Sequence, residues 1–183
     1  MSEINNMARY YSDDYAKIRN RIKDGDVVFI KNETDFMSKL IRFATFSKYS
    51  HVGIAVWVDI EGERRLMMVE AQGGTRKRIV NMSMYDGCEM DVFRDPKTNW
   101  NAIKNSVLDR IGVIEYGWLQ AIYIGIREFL LKKWSIQLPS KNFEGMICSE
   151  FVAIVYHLDD TNISPQMLYE ELMERRFVHI TNH

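Results

Sequence analysis

A chain of 183 residues, 46 % of them hydrophobic, carries enough apolar side chain for a single domain with its own core. A formal charge of −1 gives no electrostatic footprint for nucleic acid, and three prolines among 183 residues argue against a linker or a disordered chain. The N-terminal residues have neither a basic start nor an apolar run, and no stretch reaches the roughly 18 uncharged apolar residues of a membrane span. The nearest approach, 117–131, is interrupted by Arg127 and Glu128, so a cytoplasmic protein without a membrane span is expected.

Taken in chain order, the elements predict one α+β domain over 1–183. Residues 1–23 form a helical lead-in, with Tyr11, Tyr15, Ile18 and Ile22 at helical spacing. Residues 24–95 read mostly as sheet. DGDVVFI at 24–30 is a tight turn feeding a buried strand, while Phe36, Leu40, Ile41 and Ala44 share the face of a short helix over 35–46. A strand over 51–58 follows, then a polar turn at Glu61-Gly62, a strand over 65–71, and further strands at 77–80 and 89–93.

Residues 96–183 turn helical. Asp95 and Pro96 are expected to cap and start a helix carrying Trp100, Ile103, Val107 and Ile111. Leu119, Ile122, Tyr123, Ile126, Phe129 and Leu130 predict a wide apolar stripe on a second helix. Gly145 and the residues after it open a third, which begins near Cys148 and carries Phe151, Val152, Val155 and Tyr156. Ser164-Pro165 caps a last helix with Leu168 and Leu172, and FVHI at 177–180 is a closing strand.

Two of these elements carry chemistry. A thiol at a helix start is favoured as thiolate by unpaired amides, which can also hold the oxyanion of an acyl-transfer intermediate. Cys148 has that placement, although a free cysteine also serves as a small core residue. His51, at the mouth of its strand, shares a face with Gly53, Ala55 and Trp57, where small neighbours leave room for a substrate and a partner helix. With Glu61-Gly62 as a two-residue turn, Gly53 faces Glu70 and His51 faces Gln72. Glu70 is then diagonal to His51, about 7–8 Å away between Cα atoms and within side-chain reach. Glu70 or, alternatively, Gln72 would orient the imidazole.

Cys88 follows a turn, has no base nearby in sequence and reads as structural. Arg76, Lys77 and Arg78 read as a solvated loop or edge strand that could also meet an acidic group on a substrate. Two cysteines cannot make a zinc cage alone, and His157, His179 and His183 show no ligand spacing with them, so neither metal nor cofactor is expected.

The ordered set Gly25-Asp26, His51, Glu70, Tyr116, Cys148 and Ser164-Pro165 resembles the circularly permuted branch of the NlpC-type papain-like superfamily, the YiiX/YaeF-like amidases. The likeness spans about residues 24–180. It implies a permuted papain-like fold, a small barrel-like antiparallel sheet packed by a Cys-bearing helix. It also implies Cys148 as nucleophile, His51 as base and acid, and Glu70 as orienter. Tyr116 would line the pocket or help hold the oxyanion, and Tyr49 and Gln72 join it in the expected substrate-binding set. The implied activity is a thiol hydrolase acting on a peptide, isopeptide or ester substrate. A lipid acyltransferase and a non-enzymatic binding protein that retains the fold are the alternatives. The N-terminal residues lack the export signal of cell-wall-directed relatives, which would suit a phage- or virus-encoded protein acting inside a host.

Overall fold

The computed structural model describes residues 15–31, 47–71, 77–108, 123–124, 126–127, 130–131, 133–139 and 147–181. Its centre is a six-stranded antiparallel sheet. The strands are β1 (Val27–Lys31), β2 (His51–Ile60), β3 (Glu63–Ala71), β4 (Lys77–Asn81), β5 (Glu89–Arg94) and β6 (Val178–His179). A 3-10 turn, Met82–Tyr85, links β4 to β5; α1 (Trp100–Leu108), α2 (Cys148–Val155) and α3 (Pro165–Glu174) come later in the chain. The order across the sheet is β4-β3-β2-β1-β5-β6, so the sheet is open, with β4 and the two-residue β6 at its edges. Among the described residues the sheet does not close into the barrel-like form that the resemblance implies.

β1 holds the centre because VVFI is apolar on both faces, and Val27, Val28, Phe29 and Ile30 are all fully buried. The β2–β3 register follows from its turn. Glu61 and Gly62 both take positive φ, 51° and 82°, the two-residue geometry that matches strand twist. Ile60 therefore pairs with Glu63, and the ladder continues to Gly53 opposite Glu70, the register expected from the sequence.

The two faces of the sheet are covered differently. Val52, Ile54 and Val56 pack with Phe151, Val152 and Val155 of α2, Ile103 and Val107 of α1, and Leu168 and Leu172 of α3. Ala55, Leu66, Met68 and Val80 pack instead with Ile18, Ile22 and Met82. The Cys-bearing helix thus lies on the face opposite the one His51 shares with Gly53 and Ala55. The room expected on the histidine's face is filled by the N-terminal helical turn and the methionines.

Local signals succeed where neighbours decide. Ser164 accepts from the Met167 amide with Pro165 at the first helical position, and Leu168 and Leu172 are fully buried, as expected. Asp95 does not cap α1. Its carboxylate closes a turn onto the Lys97 amide and the Thr98 hydroxyl, and Asn99 takes the cap by accepting from Asn101. Of the stripe expected around Ile126, Tyr123 and Leu130 are partly buried, while Ile126 is about half exposed and the neighbouring Ile124 is fully buried. The helix expected over 35–46, Ile111, Leu119, Ile122, Phe129 and Gly145 lie outside the described residues. Among the described residues no helix is long and apolar enough to cross a membrane.

Gly53 is required by close approach. A Cβ there would sit 2.7 Å from Met68 Cγ and 2.8 Å from the Val69 carbonyl, inside any ordinary contact. Gly53→Ala should therefore cost about 1–3 kcal/mol through overpacking, read as a lowered urea midpoint with unchanged slope. Equal midpoints for variant and parent would show that β2 and β3 are not packed this tightly.

Candidate active site

Cys148 is the first residue of α2, and Ile147 precedes it in extended conformation. Ile147 offers no side-chain cap, so the helix start is secured otherwise. The Glu150 carboxylate accepts from the Ile147 amide at 3.0 Å, and the buried Ser149 hydroxyl donates to the Ile163 carbonyl at 2.6 Å. The Phe151 amide makes the first intrahelical bond back to Ile147. The amides of Cys148, Ser149 and Glu150 precede that ladder and give the helix start its positive end.

His51 is the first residue of β2 and Glu70 stands near the end of β3. The diagonal register brings His51 Nε2 to 3.0 Å from Glu70 Oε2. The Cys148 thiol, at the start of α2, acts on the same ring and is the leading cause that raises its pKa. Because each is the first residue of its element, thiol and imidazole meet at the rim of the sheet, although α2 packs on the opposite face.

Glu70 has no solvent exposure, and its charge is matched by three donors. Oε2 accepts from His51 and from the Tyr85 hydroxyl at 2.6 Å, and Oε1 accepts from Arg78 through Nε and Nη2, both at 2.9 Å. Burial works to raise the Glu70 pKa, but hydrogen bonding and charge from His51, with further bonds from Tyr85 and Arg78, hold it below its ordinary value. Burial likewise works against a charged His51. Contacts to Cys148 and Glu70, with the negative charge on both, outweigh that and raise the imidazole to about 10. Burial and the Glu70 charge push the Tyr85 phenol up, which keeps it a donor.

The sequence reading missed Tyr85 and Arg78 as parts of this site. Arg78 had a signal: it stands directly opposite Glu70 on β4, a pairing that a hairpin register would have exposed. Tyr85, on the 3-10 turn, had none. The patch at 76–78 is not simply solvated, since Lys77 is buried with its ammonium 5.3 Å from the Phe151 ring centre and Arg78 is bound to Glu70. Arg76, Gln72 and Tyr116 lie outside the described residues.

Tyr49 is not where a substrate-lining residue would be. It is 1 % exposed, packed against Phe29 and Tyr169, with its hydroxyl bonded to Asp91. The Phe29 and Tyr169 rings, the Lys48 ammonium and the Asp91 carboxylate lie against it. Cys88 packs beside the Met82 side of the core, and burial and Asp86 push its thiol pKa up, which weakens it as a nucleophile. Among the described residues no three His, Cys, Asp or Glu side chains converge as a metal-binding set.

No family model and no curated protein sequence matches the chain. Among solved structures, the crystal structure of metalloprotein YiiX from Escherichia coli O157:H7, DUF1105, is similar at 15 % identity and a TM-score of 0.45. The match covers 81 % of this chain and 92 % of that one, a likeness too loose to carry an assignment of family or activity.

The raised His51 and lowered Glu70 set opposite pH limits. The His51 contribution to stability is complete below its ordinary value of 6.5 and lost as pH rises through about 10. The Glu70 contribution is present above 4.5 and lost as pH falls below it. Imidazole titration by NMR should place His51 near 10 and move it down by at least about one unit in Glu70→Gln, the equivalent of losing one buried charge partner. A midpoint near 6.5 in both proteins would contradict the three-way contact.

Proposed function

We propose that the chain is a thiol-dependent hydrolase with a permuted papain-like arrangement, cleaving an amide or ester bond through an acyl-enzyme on Cys148. One observation carries the reading: Glu70, fully buried and saturated by donors, holds at 3.0 Å an imidazole whose pKa the helix-start thiol also raises. A carboxylate serving only as a structural ion-pair partner would not need a nucleophile on the far side of its histidine.

In this scheme His51 takes the Cys148 proton, giving a thiolate beside an imidazolium that Glu70 holds in place. The thiolate attacks the carbonyl carbon and a C–S bond forms. The carbonyl π pair moves onto oxygen, facing the amides at the start of α2; one such donor is worth about 3 kcal/mol in the transition state. Collapse expels the amine or alcohol, which leaves with the imidazolium proton. Water then loses a proton to His51, attacks the thioester and releases the acid, restoring the thiol. Tyr85 and Arg78 act through Glu70, keeping it charged and its oxygens fixed.

A second reading, transfer of the acyl group to a lipid-borne acceptor, is favoured by one specific observation. Ile126, Leu131, Trp134 and Ile136 are each about half exposed within eleven residues, an apolar group that a water-facing segment rarely presents. Fatty acyl chains that co-purify with the protein and pass from Cys148 to an added acceptor rather than to water, read by mass spectrometry, would favour transfer over hydrolysis.

Mild alkylation with iodoacetamide at neutral pH, followed by peptide mass spectrometry, should modify Cys148 ahead of Cys88. His51→Ala should slow that reaction by about 10²-fold or more, the usual loss on removing a positioned base. Label confined to Cys88, or a rate indifferent to His51, would sink the enzymatic reading and leave the binding-protein alternative.

A further inference from the structure

A cavity of about 700 Å³ opens between the N-terminal helical turn, the β2–β3 hairpin and the start of α1. Its wall carries Arg19, Lys23 and Arg64 against a single acid, Asp24, with Trp57 and Trp100 as the large aromatic surfaces. Asp24 offsets one of the three positive charges and is held in place by the Trp57 backbone amide, which leaves the wall net positive. Asp59 pairs with Arg64 across the strands but is not part of the wall.

Trp57 organises the cations. Its indole N–H donates to the Ile22 carbonyl at 2.9 Å, which fixes the ring. The Arg19 and Arg64 guanidinium carbons then lie 4.7 and 4.9 Å from the ring centre. The two charges are therefore within about 10 Å of each other, one Debye length at 0.1 M salt, so each feels the other's repulsion. An Arg19 N–H bond to the Arg64 carbonyl, 3.4 Å, holds the pair together despite this. A guanidinium resting on a ring keeps its fork planar and its donors at its edge, the geometry that receives two oxygens of one phosphate. The cavity volume falls within the range of about 300–1,000 Å³ typical of small-molecule sites. Trp100 supplies apolar surface for the organic part of a ligand.

We propose that this cavity is a binding site for a phosphate monoester carried on an organic body, a chemistry shared by soluble nucleotides and by the headgroup of phosphatidic acid. Arg19 and Arg64 receive the phosphate, Lys23 adds charge at the rim, and the organic body lies against Trp100. Trp57 is six residues along β2 from His51, about 20 Å at strand rise, so the site is separate from the thiol and does not depend on its chemistry.

The test titrates the full chain with adenosine monophosphate, inorganic phosphate, and phosphatidylcholine vesicles with and without phosphatidic acid. Calorimetry reads the soluble probes and co-sedimentation reads the vesicles. Saturable binding of the nucleotide or of the phosphatidic acid vesicles is expected, weakened by salt and by about tenfold or more in Arg64→Glu and in Arg19→Gln. Arg64 is exposed, so Arg64→Glu tests the site without disturbing the core. Arg64→Lys keeps the charge but removes the fork, and should bind between the two. Nucleotide binding alone identifies a soluble ligand; vesicle binding alone identifies a lipid headgroup. Inorganic phosphate bound as tightly as either overturns the role of the organic body. Failure of every probe, or affinities unchanged by both arginine substitutions, overturns the site. Cys148→Ala should bind like the parent, which separates this result from any outcome at the thiol.

Discussion

Glu70 is a carboxylate sealed from solvent, and three different elements are arranged so that its charge is never alone. Removing one partner from a buried ion pair costs about 3–5 kcal/mol, because the remaining charge stays desolvated. His51 from β2, Arg78 from β4 and Tyr85 from the 3-10 turn each satisfy part of that demand. The requirement fixes register on both sides of β3. A slip of one residue in either ladder would turn Glu70 to the other face and strand it among apolar residues such as Val52 and Ile54 of β2.

The histidine inherits its state from this constraint. A buried imidazole would ordinarily lose its proton, yet His51 is raised by hydrogen bonding and charge from Cys148 and Glu70. Tyr85 adds a ring 6.1 Å from the imidazole, so one side chain both donates to Glu70 and flanks the group that Glu70 orients. The charge arrangement and the packing are thus a single object, and the proposed chemistry uses only what stability already demands.

A second polar cluster explains why Tyr49 belongs to the core. Asp91 on β5 accepts from Tyr49 and, at 2.7 Å, from His179 on β6, while the His179 ring stacks on Phe93 with a 4° tilt between planes. Thr181 reaches the same histidine at 2.8 Å. Asp91 thereby joins the segment before β2 to the returning end of the chain, and the two-residue β6 is held by side chains more than by its short ladder.

The sequence by itself determined the local grammar. The Glu61-Gly62 turn set the hairpin, period-two alternation put Glu70 on the side of His51, Ser164-Pro165 started α3, and a thiol was placed at the start of α2. Each of these depends on residues a few positions apart or on one short turn, where backbone geometry leaves few choices. The tertiary structure alone decided which face α2 covers, that the sheet stays open, that Arg78 and Tyr85 complete Glu70, that Tyr49 is interior, and that Ile124 is buried where Ile126 was expected. It alone gathered Arg19 and Arg64, 45 residues apart, around one indole. Those outcomes rest on which distant surfaces exclude water together, and no periodicity within a single segment encodes its partner.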